Sequence, residues 1–186
     1  MKIKLAGITL LISLLMTSFM KTEDTSKIIF DFNKSSDIGS WKIVNDGVMG
    51  GISNSTISIN TEGHGVFKGT VSTENNGGFA SVRLQLPLLD INNSKRLRIN
   101  LKGDGKNYQL RVKSNTSDYY SYITEFSTSG SWETIEINLK DLYPSFRGRK
   151  LDQENFSASS IQELSFLIAN KKNESFILEL DKIELD

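Results

Sequence analysis

The stretch Arg96–Lys102, RLRINLK, alternates without a break, with Leu97, Ile99 and Leu101 set against Arg96, Arg98, Asn100 and Lys102. Side chains alternate faces along an extended strand, so such a segment has one dry face and one wet face and does not suit a helix. Ten further runs share this character: KIIFDF (27–32), SWKIV (40–44), STISI (55–59), GVFKGTVS (65–72), FASVRLQL (79–86), YQLRVKS (108–114), YYSYITEF (119–126), WETIEINL (132–139), ELSFLIA (163–169) and SFILELDKIEL (175–185). Clusters of Gly, Asn, Asp and Ser separate them. Strands about eight to twelve residues apart predict a sandwich or barrel. Stacking hides the edges of so many strands, so the expected fold is all-β, a two-sheet antiparallel β-sandwich of jelly-roll topology. Helical periodicity is weak after the first residues, and the best helical candidate is LDQENFSASSIQ (151–162). The two prolines, Pro87 and Pro144, fall just outside the predicted strands, where a missing amide donor does no harm.

The N-terminus reads differently. Lys2 and Lys4 precede an uncharged apolar run from Leu5 to Met16, followed by Thr17 and Ser18, the pattern of a secretory signal peptide. The run is shorter than the about 20 apolar residues that span a bilayer, and an uncleaved anchor is the alternative reading. The expected organisation is a leader over 1–20 and a single domain over 27–186, exported to the periplasm or the medium. The chain has no cysteine, which excludes a lipid-modified cysteine and a disulfide framework. Stability must come from the core, and a domain of about 160 residues buries close to 70% of its unfolded surface. Lysine plus arginine and aspartate plus glutamate each number 22, so no global field draws nucleic acid or acidic lipid.

Few residues point to chemistry. One histidine, His64, and no cysteine exclude a His-rich or thiolate metal centre and a thiol nucleophile. No serine lies on a strand-turn-helix nucleophile elbow. Asp46, Glu74, Asp104, Asp118 and Glu125 could supply a carboxylate pair for glycoside hydrolysis, but their spacing singles out no pair, and the chain is read as non-catalytic. NDGVMGG (45–51) lacks the lysine of a phosphate loop and no helix is predicted after it. GDGKNY (103–108) has hairpin-turn composition, and ENNGGFASVR (74–83) is a second paired-glycine turn feeding a strand. Such pairs permit positive φ and close backbone approach. Tyr108, Arg111, Tyr119, Tyr120, Tyr122 and Trp132 gather in the middle strands, a composition suited to sugar stacking or a protein hot spot. Alternation puts Tyr120 and Tyr122 on one face and Tyr119 on the other.

Five segments in order, FDFN…WKIVNDGVMGGIS, FKGTVSTENNGGFASVR, LKGDGKNYQLRVK, WETIEINLKDLYPSFRGRKL and FILELDKIEL, resemble the complex I intermediate-associated protein family, that of a mitochondrial NADH:ubiquinone oxidoreductase assembly factor. The resemblance covers nearly everything from Ile28 onward. It implies a galactose-binding-like sandwich and a non-enzymatic role in binding or assembly. Combined with the export signal, it implies a module assisting assembly or stability of an envelope protein complex. The alternative is a carbohydrate-binding module that recognises an oligosaccharide through aromatic and polar groups on a sheet face. The residues expected to contact a ligand or partner are Asp46, Met49, Asn76, Tyr108, Arg111, Tyr120, Tyr122, Trp132, Arg147 and Arg149. NDGVMGG, NNGGF and FRGR are expected to meet, with Asp46 pairing Arg147 or Arg149 and Met49 plugging the gap. Related sandwiches often carry a structural calcium ion where the first and last strands run close, which implies Asp31 and Asp181 as oxygen ligands.

Overall fold

The computed structural model describes residues 26–186, and the predicted leader over 1–20 lies outside them. Thirteen strands follow in chain order: β1 (Lys27–Asp31), β2 (Trp41–Ile43), β3 (Asn54–Ile59), β4 (Gly65–Val71), β5 (Ala80–Asp90), β6 (Arg96–Lys102), β7 (Asn107–Lys113), β8 (Ser121–Ser127), β9 (Trp132–Asn138), β10 (Tyr143–Phe146), β11 (Arg149–Lys150), β12 (Ser160–Ile168) and β13 (Glu174–Leu185). They form two antiparallel sheets. The six-stranded sheet runs β3-β4-β13-β6-β9 with β1 added on β13, and the seven-stranded sheet runs β11-β10-β8-β7-β12-β5-β2. The expected two-sheet sandwich is what forms.

Alternation sets which side of each strand is dry. In β6, Leu97, Ile99 and Leu101 are fully buried while Arg96, Arg98, Asn100 and Lys102 are only partly covered. Leu110 and Val112 of β7, Leu164 and Phe166 of β12, and Val82 and Leu84 of β5 bury the facing side of the other sheet. Each such side chain removed from water contributes about 1.5–3 kcal/mol. At one end Trp41 lies edge-on to Phe30 and stacks near Phe166, with ring centroids 5.4 and 6.4 Å away.

Three sequence expectations change. Residues 151–162 form no helix: the chain is irregular to 159 and Ser160 opens β12. Its apolar residues Leu151, Phe156 and Ile161 are five apart, which spreads them around a helix. As irregular chain, Phe156 is buried in the core and its N–H bonds to the Leu142 carbonyl at 2.9 Å. Both prolines lie within strands. Pro87 sits opposite a register shift in β12, between Ile161 and Glu163, and beyond the last β2 pairing at Leu84. The Pro144 carbonyl accepts from Leu151 N–H at 2.9 Å. A strand residue's N and C=O face the same neighbour, so the missing donor of Pro144 points toward the sheet edge, where a proline is tolerated. The third change is the β10–β11 hairpin itself, unpredicted as strand. Its two-residue turn, Arg147-Gly148, has φ of 49° and 74°, the left-handed pair of a tight hairpin.

Candidate binding face

Between β2 and β3 the chain makes a single 3-10 turn at Asp46–Met49. The Asp46 side chain is buried, 1% exposed. Its Oδ1 accepts from the Ser53 N–H at 3.1 Å, and its Oδ2 accepts from the Ser53 hydroxyl at 2.5 Å and from the Gly78 and Phe79 N–H groups at 2.7 and 3.2 Å. Burial alone would raise its pKa, but these donors outweigh burial and hold the carboxyl below its usual range. A Cβ on Gly51 would lie 2.4 Å from Asp46 Cγ, and one on Gly77 would lie 2.7 Å from its Oδ2. Glycine at these positions lets two backbones close around the acid. NDGVMGG and NNGGF therefore meet as expected, on one buried charge. The side chain of Met49 lies outside the described residues.

FRGR does not join them. Arg147 and Arg149 belong to the hairpin at one edge of the seven-stranded sheet, and β2, which leads into Asp46, is the opposite edge. Both arginines are exposed, and the Arg147 guanidinium lies 5.3 Å from the Phe146 ring centre. The expected ion pair with Asp46 is replaced by the Ser53, Gly78 and Phe79 donors, because the strand order separates the two loops.

The predicted aromatic residues scatter for the same reason. Tyr108 is core, with its hydroxyl 3.0 Å from Asp104 Oδ1 and 3.2 Å from the Ile177 carbonyl. Burial first and the Asp104 charge second push its pKa up. Tyr120 and Tyr122 line the rim of the core with hydroxyls 3.4 Å apart, and Tyr122 lies edge-on to Phe156 at 5.1 Å. The bond with Tyr120, ahead of burial, pushes the Tyr122 hydroxyl up to about 12. Trp132 is exposed but belongs to the other sheet, against His64 at 4.4 Å. No common row of Tyr120, Tyr122 and Trp132 exists. Asn76 is exposed in the loop before β5, with φ of 60°.

Asp31 and Asp181, the expected calcium ligands, lie on the paired strands β1 and β13. Asp181 accepts from Asn100 Nδ2 at 2.9 Å and lies 3.7 Å from His64 Nε2. Among the described residues, no group of three or more His, Cys, Asp or Glu side chains could hold a metal ion, so Asp31 and Asp181 have no third such side chain beside them.

Arg111 alone of the ten candidates stands on a broad polar surface, the outer face of the seven-stranded sheet. Paired residues in antiparallel strands share a face, so register builds a row across six strands: Lys42, Arg83, Ser165, Arg111, Ile123 and Tyr143. At about 4.8 Å per strand the row spans about 24 Å. The flanking row carries Gln85, Glu163 and Lys113, then Ser121, Ser145 and Lys150. The row on the other side carries Ser81, Leu167, Gln109 and Glu125. Small side chains form a covered floor, with Ser165, Ser121 and Ser145 all buried. Ser145 Oγ has no hydrogen-bond partner.

Two polar relays stand over this floor. Arg111 Nη1 donates to Gln109 Oε1 at 3.4 Å, and Gln109 Nε2 donates to Glu125 Oε1 at 3.1 Å. Arg83 Nη1 lies 4.0 Å from Glu163 Oε1. Burial and then the Arg83 charge lower the Arg111 pKa, partly offset by Glu163 and Tyr143. Lys150 Nζ stands 5.3 Å from the centre of the Tyr143 ring. The alternation of β7 places Gln109, Arg111 and Lys113 together in the sequence. Arg83, Glu163, Tyr143 and Ser145 join them only through strand pairing.

Residues 30–180 match the sequence pattern of the complex I intermediate-associated protein 30 family. The chain belongs to that family. Its fold is also that of several carbohydrate-binding modules, at identities that speak for fold alone. A family 11 module from Clostridium thermocellum, solved with a β-1,3-1,4-mixed-linked tetrasaccharide, is similar with a TM-score of 0.64 and 19% identity over 86% of this chain and 94% of that one. A family 29 carbohydrate-binding module is similar with a TM-score of 0.52 and 14% identity over 87% of this chain and 90% of that one. The crystal structure of an agarase matches with a TM-score of 0.55 and 13% identity, over 87% of this chain and 24% of the enzyme. No curated protein sequence matches the chain. This member of the family thus shares a galactose-binding-like, jelly-roll-type sandwich with modules that hold sugars.

Proposed function

We propose that this family member is a non-catalytic binding module that seats an oligosaccharide along the outer face of its seven-stranded sheet. The observation that carries the reading is the Arg111–Gln109–Glu125 relay beside Tyr143 on a floor of buried serines. Sugar hydroxyls call for planar groups that donate and accept in one plane, and a sugar ring calls for an aromatic face. Both are present within a surface about 24 Å across, long enough to follow several rings. The fold shared with carbohydrate-binding modules supports the same reading. The test is calorimetric titration of the full chain with a panel of oligosaccharides that includes the mixed-linked tetrasaccharide. Saturable binding lost in Gln109→Ala and Tyr143→Ala, and kept in Trp132→Ala, is the expected result. An inert panel would sink the reading.

A second reading, a module that docks an envelope protein and assists its assembly, draws on the β10–β11 edge of the same sheet. Tyr119 and Phe146 are exposed, stand edge-on at 5.2 Å, and carry Arg147 over the Phe146 ring, the residue types of protein hot spots. With the leader expected from the sequence, such a partner would lie outside the cytoplasm. Crosslinking in envelope extracts, with Tyr119→Ala as the control that loses the product, tests it.

A further inference from the structure

The chain as a whole is neutral, with 22 basic and 22 acidic side chains, but its two outer faces are not alike. Along β6 and β13, the middle of the six-stranded sheet, the cations are paired with acids. Arg96 lies 3.0 Å from Glu136, Arg98 lies 3.5 Å from both Glu136 and Glu184, Lys102 lies 3.2 Å from Glu179, and Lys182 lies 3.0 Å from Glu184. These pairs neutralise the middle of that face.

The seven-stranded sheet has no such balance. Its two main rows place Lys42, Arg83, Arg111, Lys113 and Lys150 around a single carboxylate, Glu163. Glu163 lies 4.0 Å from Arg83 and its charge also reaches Arg111, where it offsets only part of what burial and Arg83 do. The next carboxylate, Glu125, is held by Gln109, and Lys113 donates to the Asp118 carbonyl. Arg83 and Arg111 stand on either side of Ser165, a residue that is 3% exposed. Two like charges two strands apart over a covered floor repel each other. An anion between them removes that repulsion and gains charge-assisted bonds to planar guanidinium donors.

We propose that the Arg83–Ser165–Arg111 triad is a carboxylate subsite, and that the preferred glycan of this face is an acidic oligosaccharide carrying uronic-acid residues. The inference rests on the oligosaccharide reading above and names its substrate class. A guanidinium binds a carboxylate through two parallel N–H bonds, which a hydroxyl cannot match. The five cations would steer such a ligand onto the sheet, and the attraction would weaken with salt.

The experiment is paired calorimetry of the full chain with a tetragalacturonate and with the neutral mixed-linked tetrasaccharide, at low and high sodium chloride. The expected result is at least tenfold tighter binding of the acidic tetramer at low salt, a preference that shrinks as salt rises. Arg111→Gln should abolish the preference and Arg111→Lys should restore only part of it, with folding checked by circular dichroism. Arg83→Gln serves where Arg111→Gln fails to fold. Equal binding of both tetramers, or binding of the neutral one alone, overturns the acidic-glycan inference while the oligosaccharide reading stands. Binding of neither, with the rest of the panel also inert, overturns both.

Discussion

The Gly78 N–H donates to Asp46 Oδ2 at 2.7 Å, joining two loops separated by 32 residues of chain. With Phe79 and Ser53 it gives the carboxylate four donors in a site closed to water. The glycine-rich stretch around Asp46 is thus the wrapping of a buried charge, and the loop before β5 is its other half.

Asp46→Asn should destabilise the domain by about 3 kcal/mol at neutral pH, because the amide turns a donor toward donors already buried. In urea melts this is a lower midpoint with an unchanged slope. An unchanged midpoint would mean the knot is not held by charge.

The same acid predicts a pH dependence. The folded-state pKa of Asp46 is lowered, so its contribution is present above the unfolded value of about 3.9. It is lost as pH falls through the folded value. The stability gap between the native protein and Asp46→Asn should therefore narrow between neutral pH and about pH 3. A gap that widens on acidification would contradict the assignment.

Glycine substitutions near Asp46 should separate sharply. Gly51→Ala places a Cβ 2.4 Å from Asp46 Cγ, whereas one on Gly47 meets nothing within 4 Å. The first should cost at least about 2 kcal/mol, lowering Tm by several degrees. Gly47→Ala should stay within about 0.5 kcal/mol. Equal effects would show that the tight approach is not what requires glycine at position 51.

Asp104 anchors the turn between β6 and β7. It accepts from Lys106 Nζ at 2.6 Å and from Ile177 N–H at 3.0 Å, and lies 3.0 Å from the Tyr108 hydroxyl. Tyr108→Phe removes one hydroxyl from this group and should cost about 1 kcal/mol, with glycan binding untouched since Tyr108 is core. Lost binding in a folded Tyr108→Phe protein would return Tyr108 to the ligand contacts.

Calcium should leave the thermal midpoint unchanged relative to chelator. Asp181 already accepts from Asn100, and hard cations of this size take six to eight oxygens. A rise of several degrees with calcium would restore Asp31 and Asp181 as ligands.

Much of the sandwich was legible because two-residue alternation is local. Leu97, Ile99 and Leu101 declare a buried face on their own, whatever they pack against. Where local signals were mixed, tertiary contacts prevailed. Phe156 reads as part of a weak helical segment, yet the core takes its ring out of an irregular chain. Pro144 argues against a strand, yet the edge position leaves its missing N–H harmless.

The sequence by itself determined a β-sandwich without cysteine chemistry, the two glycine-rich loops, and the polar face of β7 carrying Arg111. The tertiary structure alone decided what those features meet. It sent Trp132 to the other sheet, set Arg147 and Asp46 at opposite edges, and brought Arg83, Glu163 and Tyr143 alongside Arg111. The reason is physical. Which residues share a face follows from the period of one strand, whereas which strands become neighbours follows from nonlocal pairing that no single segment encodes.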